Sequence, residues 1–244
     1  MKIFFTIILL FSTCLISAQE LMGKVTYLAT FDDYEEDMLN IDEISVFPKK
    51  MNSDEKISNS PLYFHLFFNK SKALFQAEYD LPTKRKLGFK FNKTGSMTSD
   101  ENKYYIDLKE EDNYYQSFWS QDILVDLEDV NWTLTDETKK IGNFICYKAI
   151  APKSAGQIYQ MEFTKPLIAW YTKEIPVSFG IQYFHGLPGL TMELVAEYAS
   201  GKISYEVTNI DLNKKAVKIE KPEGKRRLTK KEYFEYCSEI NKRR

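Results

Sequence analysis

The side chains able to do chemistry are few and scattered. His65 and His185 are the only imidazoles in 244 residues. Neither lies in a His-Glu-x-x-His arrangement, so a site needing three histidines cannot be built and zinc-hydrolase chemistry has no support. His65 sits inside Tyr63-Phe64-His65-Leu66-Phe67, a strand-like run where imidazole is more often a hydrogen-bonded structural group than a catalyst. His185 follows Tyr183 and Phe184 and precedes Gly186, a place where a rigid loop could present it to a ligand or let it cap a carbonyl. No cysteine or carboxylate is identifiable in sequence as its partner, which favours a structural role. Glu174, Glu193 and Glu197 could furnish an acid and base pair as in glycosidases, but 35 acidic residues leave no reason to select them. Gly-x-Ser-x-Gly, Gly-x-x-x-x-Gly-Lys and Gly-x-Gly-x-x-Gly are all missing, and with them the usual handles for acyl transfer, nucleotide hydrolysis and dinucleotide binding. The sequence therefore calls for no metal and no cofactor.

Cysteine use and the first residues speak to compartment. Lys2 is a short positive start, residues 3–16 are an apolar run, and Ile16-Ser17-Ala18 brings small residues to a cleavage point ahead of Gln19. This is the pattern of a secretory signal peptide over residues 1–18, shorter than the ~20 apolar residues that span a bilayer. Cys14 lies within the apolar run and not at the cleavage point, which argues against a lipid anchor. Cleavage leaves Cys146 and Cys237 in an oxidising compartment, where either one disulfide or two free thiols would satisfy the count. No later stretch is apolar for long enough to span a membrane, so the expected product is exported to the periplasm or cell envelope without an integral segment.

Composition then bounds the rest. Lys and Arg number 33 against 35 Asp and Glu, a net charge of −2, so no global field draws the chain to nucleic acid or anionic lipid. Lys84-Arg85-Lys86 and the basic stretch 214–227 read as solvated connections before they read as phosphate or acidic-partner grips. Hydrophobic residues make up 43% and aromatics 15%, enough for one globular domain over residues 19–244.

The elements that must position these groups are strands. Beyond residue 19, Tyr, Phe, Ile and Val recur with period two in short runs between polar, Gly and Pro punctuation. Residues 23–30, 62–68, 73–79, 103–108, 114–120, 144–151, 158–163 and 167–171 fit, and Asn69-Lys70-Ser71-Lys72 reads as a hairpin loop. Residues 32–38 and 81–99 read as connections, and 40–57 as a strand fragment followed by a long connection. Val130, Trp132 and Leu134 alternate with polar residues as a half-buried strand, with a turn expected at Asp136-Glu137-Thr138-Lys139-Lys140. In Gly186-Leu187-Pro188-Gly189-Leu190, Pro188 and Gly189 fit the centre of a type II turn, which requires positive φ at Gly189. Leu190, Met192, Leu194, Ala196 and Tyr198 then share one strand face, Ser200-Gly201 forms a two-residue loop, and Ile203, Tyr205 and Val207 return. Thr229-Lys230-Lys231-Glu232 is a capping box, predicting a helix at about 230–242 with Tyr233, Tyr236, Cys237 and Ile240 inward. The expected fold is mainly β: about ten strands in a curved antiparallel sheet or half-barrel, with a C-terminal helix against it. A closed barrel is the alternative.

One family resemblance rests on four segments taken together. Trp132-Thr133-Leu134-Thr135-Asp136-Glu137-Thr138-Lys139-Lys140-Ile141-Gly142, Cys146-Tyr147-Lys148-Ala149, Ala169-Trp170-Tyr171-Thr172-Lys173-Glu174-Ile175-Pro176-Val177 and Gly186-Leu187-Pro188-Gly189-Leu190 resemble the GLPGLI family of exported Bacteroidetes proteins. The resemblance covers about residues 130–210. Thr191 stands where the family's motif usually ends in Ile, and Ile181 follows Gly180 where Pro is more common. On the strand, Thr191 would face away from Leu190 and Met192, on a side expected to be less buried here. The resemblance implies export, a periplasmic or envelope location and an uncharacterised role, and it supplies no catalytic residue.

These observations favour a non-enzymatic binding or accessory protein for an apolar small molecule or an outer-membrane transport or sorting partner, with a periplasmic hydrolase as the alternative. Glu174, Phe184 and His185, on a 174–185 loop held by rigid strands, and Trp170 and Tyr171, on the strand that leads into it, are the candidate contact residues. The aromatics suit core packing first and an apolar cavity inside a curved sheet second.

Overall fold

Twelve strands among the described residues join one sheet, and the order in which they do so dictates its shape. The computed structural model describes residues 21–34, 60–78, 93–98, 102–117, 120–156, 163–212 and 219–242. The strands are β1 (Gly23–Asp33), β2 (Leu62–Phe68), β3 (Lys72–Ala77), β4 (Lys103–Asp107), β5 (Asp112–Gln116), β6 (Ile123–Asp126), β7 (Thr133–Ile141), β8 (Phe144–Ala151), β9 (Leu167–Thr172), β10 (Leu190–Tyr198), β11 (Gly201–Leu212) and β12 (Arg226–Leu228). Helix α1 is Lys93–Thr98 and α2 is Lys230–Lys242, with a 3-10 turn at Lys153–Gly156. The order across the sheet is β12-β6-β5-β4-β3-β2-β1-β11-β10-β9-β8-β7. Every pairing is antiparallel except β12 with β6. The mainly β, antiparallel expectation holds. Among the described residues the count exceeds the expected ten partly because β6 and β12, with four and three residues, are too short to show a period.

The sheet is open, with β12 and β7 each having one neighbour among the described residues, yet it must curl. Ten inter-strand steps separate β6 from β7, which is roughly 48 Å in a flat sheet at ~4.8 Å per step. Only residues 127–132 connect them, and such a link reaches about 25 Å at full extension. The two ends of the sheet are therefore drawn towards each other, and the link passes over the hollow between them. Its Leu127, Val130 and Trp132 pack on the main core. The half-barrel expectation stands, and the closed barrel does not.

Period-two burial sets the inner face. On β1 the side chains of Val25, Tyr27, Ala29 and Phe31 are buried while their neighbours are half-exposed, and Leu190, Met192, Leu194, Ala196 and Tyr198 repeat the pattern on β10. Tyr27 reaches across to donate its hydroxyl to the Thr191 carbonyl at 2.8 Å, beside a register shift between Thr191 and Glu193. That shift explains why Thr191 is 1% exposed, contrary to the expected open face.

Other local expectations need correcting. Residues 136–140 are strand and not turn: β7 continues through them with a register shift between Leu134 and Thr138, and the turn is Gly142-Asn143. Their charge reflects an edge strand exposed on both faces, a common defence of open edges. The β10–β11 loop is Ala199-Ser200, one residue earlier than expected, with Tyr198 opposite Gly201. Residues 93–98 form α1, which packs on β1 and β11 with Met97 in the core. The strand expected at 158–163 lies largely outside the described residues, as do residues 1–18 and Lys84-Arg85-Lys86.

At the far edge α2 begins as predicted. The Thr229 amide donates to Glu232 Oε2 at 2.8 Å and the Glu232 amide to Thr229 Oγ1 at 3.2 Å, the reciprocal pairing of a capping box. Tyr233 packs with Ile123 and Val125, joined by Tyr236 and Cys237, in a cluster separate from the main core. No helix among the described residues is long and apolar enough to cross a membrane.

Candidate binding surfaces at the seam of the sheet

The hollow of the curved sheet is filled by the chain itself. Ile175, Val177, Phe179, Ile181, Phe184 and Leu187, from the connection between β9 and β10, are each under a tenth exposed and belong to the main core. The connection is braced by local hydrogen bonds: Phe184 N–H to the Ile181 carbonyl, Gly186 N–H to Ser178 and Leu190 N–H to Ile175. Gln182 holds a φ of 55° and is buried, its amide donating to Tyr205 Oη at 2.8 Å and to the Thr98 carbonyl of α1. A backbone held in that region needs such over-determination.

The glycine motif works differently from the expected type II turn. Gly186, with a φ of 92°, takes the left-handed conformation, whereas Gly189 is not among the positive-φ residues. A Cβ on Gly189 would stand 2.0 Å from the Thr172 carbonyl oxygen, so this glycine permits close approach of two backbones. Leu190 N–H bonds to Ile175 in place of the Leu187 carbonyl that a β-turn would use.

The predicted contact residues do not share one surface. Tyr171 and Phe184 are buried at 1% and 2% exposure, Tyr171 lying 5.9 Å from the Tyr147 ring. Trp170 is half-buried with Lys139 Nζ 4.5 Å from its ring centroid, and the same ammonium contacts Glu193 at 2.6 Å. Glu174 is exposed and accepts the Ile145 amide at 3.0 Å. Glu197 is held by Lys165 and Tyr34, so the three carboxylates weighed as a catalytic set share no partner.

His185 is 6% exposed, and its Nε2 has no hydrogen-bond partner among the described residues. Burial holds its pKa below the ordinary value, opposed by Asp129, so the ring is neutral near pH 7. Its carbonyl accepts the Trp132 indole N–H at 2.9 Å. His65 belongs to an arrangement that sequence did not indicate. Its Nε2 meets Glu78 at 3.2 Å and its Nδ1 faces Thr26 Oγ1 at 3.3 Å. The spacing resembles a hydroxyl–imidazole–carboxylate relay, but Thr26 and His65 lie on the paired strands β1 and β2 and Glu78 just past the end of β3, where the ladder engages the backbone amides that an oxyanion hole would need. Cross-strand register, invisible before pairing is known, is what brings Thr26 opposite His65.

Cys146 and Cys237, the pair open to a bridge, are free thiols in different clusters. Burial pushes the Cys146 thiol up to about 11. Among the described residues no group of three or more His, Cys, Asp or Glu could hold a metal ion.

Two spaces open at the seam. A groove of about 350 Å³ runs between the crossing link and the glycine motif, lined by Asn131, Trp132, Leu134, Gly186 and Pro188 among others. Leu134 on its wall is 51% exposed. A smaller cavity of about 50 Å³ lies beneath the start of α2, among Tyr104, Tyr115, Tyr183 and Phe234.

Residues 157–193 match a family model described as "Protein of unknown function (Porph_ging)". The stretch contains two of the four segments that carry the GLPGLI resemblance, including Gly186 to Leu190. No curated protein matches the chain. Two crystal structures of PNGF-II, in space groups C2 and P21, are similar at 18% identity, with TM-scores of 0.48 and 0.49 over 86% and 90% of this chain. The chain spans about a third of their length, 31% and 33%.

Proposed function

We propose that the protein is an exported, non-enzymatic accessory protein that docks a segment of an envelope partner in the seam groove. The observation that carries this reading is the filled hollow: the space where a curved sheet would carry an apolar ligand is occupied by Ile175, Val177, Phe179, Ile181, Phe184 and Leu187. The groove left outside falls in the size range of binding sites. Its walls combine an exposed leucine, an indole and a proline with the polar Asn131, a composition suited to an extended peptide. The leader-like residues 1–18 support export. The burial of His185 and the unshared partners of Glu174, Glu193 and Glu197 weigh against the hydrolase.

The test is in-cell photocrosslinking in the native host, with the reactive residue at Asn131 or Leu134 and at Glu206 on β11 as a control. One discrete adduct from the groove positions and none from the control is expected. Diffuse labelling equal at all three positions would overturn the docking surface.

A further inference from the structure

The small cavity beneath α2 has a chemistry of its own and shares no lining residue with the groove. Three tyrosines and Phe234 contribute to its wall, together with the carboxylate-bearing Asp126 and Glu128. Tyr104 stands 5.4 Å from Tyr115 and 6.2 Å from Tyr183 between ring centroids, so the rings form one connected group. A volume of about 50 Å³ corresponds to about four heavy-atom positions at the 10–15 Å³ a water needs. A methylated ammonium head needs more room than this, and the room comes from the Lys230 side chain, which lines the same cavity and leaves it when displaced from Glu128.

The charges around it are already arranged for a cation. Asp126 is engaged by Arg227 at 2.5 Å. Glu128, 70% exposed, is met at 3.3 Å by the ammonium of Lys230, the first residue of α2. Lys230 and Phe234 come from the C-terminal segment, whereas Tyr104, Tyr115 and Glu128 come from the sheet and its crossing link, so the cavity is roofed by a separate element. That roof is clipped on by charge: Lys221 and Arg227 to Asp112, Lys225 to Asp122 and Lys230 to Glu128 all bridge residues 221–230 to residues 112–128.

We infer that this cavity is a binding site for an organic ammonium group, with Lys230 as the built-in cation that a ligand displaces from Glu128. Aromatic ring faces attract cations, most strongly when water is excluded, and a methylated ammonium loses less hydration than the lysine it replaces. The ligand class is a quaternary or methylated amine, on a small molecule or a headgroup, whose remaining atoms extend past the exposed Glu128.

Calorimetric titration of the full chain with choline chloride tests this, against 3,3-dimethylbutan-1-ol, its uncharged isostere, at matched ionic strength. Choline is expected to bind saturably and at least about tenfold more tightly than the alcohol. Lys230→Gln, which removes the internal competitor, should tighten choline several-fold, and Glu128→Gln should weaken it. Both side chains sit at the rim, and unchanged unfolding midpoints would show that the fold is kept. Equal binding of choline and alcohol would overturn the ammonium assignment. Absence of saturable binding to both the native chain and Lys230→Gln would overturn the site. Neither result bears on the groove, which the crosslinking experiment tests separately.

Discussion

The indole N–H of Trp132 donates to the backbone carbonyl of His185 at 2.9 Å, tying the link that crosses the hollow to the segment that fills it. One bond thereby joins the two parts of the chain that make this sheet a packed bowl. Trp132→Phe keeps most of the ring contact and leaves that carbonyl without its donor. The expected loss is about 1–2 kcal/mol, read as a lower urea midpoint with an unchanged m-value. Trp132→Ala, which also removes core contact, should cost more.

The two motif glycines should respond differently to alanine. At Gly189 the new Cβ meets the Thr172 oxygen at 2.0 Å, and the cost should exceed about 3 kcal/mol because the Thr172 and Lys173 atoms it meets are all backbone. At Gly186 a new Cβ meets no described residue within 4 Å, so only the strain of positive φ remains, about 1–2 kcal/mol. Equilibrium unfolding of the two variants side by side reads the difference, and equal losses would contradict the assigned roles.

Acid should weaken the fold first through its histidines. Burial lowers the pKa of His65, aided by Lys24 and opposed by Glu78, and lowers that of His185, opposed by Asp129. The unfolded chain therefore takes up these protons at a higher pH than the folded one. Above the ordinary imidazole value of about 6.5 neither state carries the charge, and stability falls as pH drops from there towards the folded values. The carboxylates held below their usual range, Asp107, Asp112 and Glu197, act lower still, their stabilisation lost as pH falls through their folded values. Urea midpoints between about pH 7.5 and 5.5 should decline, with a shallower slope in His185→Gln. A flat profile would contradict neutral burial.

The C-terminal clip should be the salt-sensitive part of the molecule. Asp112 takes both Lys221 and Arg227. Asp112→Asn should cost about 1 kcal/mol, confined to faster amide exchange in β12 and α2. Exchange in β1 and β11 at the sheet centre should not change. Raising salt in the native protein should act in the same direction.

Thiol chemistry offers a further check. Cys146 is fully buried with its pKa pushed up to about 11, and burial also raises that of Cys237. Iodoacetamide at about pH 8 should leave Cys146 unmodified until denaturant is added, and non-reducing peptide mapping should return both cysteines as free thiols. A Cys146–Cys237 peptide would contradict the separation of the two clusters.

Which features were legible in sequence follows from how local their causes are. The β10 face, the β2–β3 hairpin and the Thr229–Glu232 cap depend on neighbours within a few residues, and each stands where its pattern put it. The crossing of residues 127–132 depends on which strands become edges, a global property. The filling of the hollow does leave a signal in the sequence. Ile175, Val177, Phe179 and Ile181 alternate like a strand in what reads as a surface loop, followed by Phe184 and Leu187, and so many large apolar side chains needed burial. Pro176 and the missing partner strand leave them as packing. The candidate contact residues failed to gather for the same reason, since Tyr171 and Phe184 were already committed to that core.

Native mass spectrometry of the protein purified from its own host tests the central claim, a hollow filled by its own chain, most directly. The expected mass is that of the bare polypeptide, with no apolar molecule retained under conditions that preserve the fold. A reproducible one-to-one lipid or other apolar adduct would contradict it, because residues 175–187 would then have to leave the hollow for cargo.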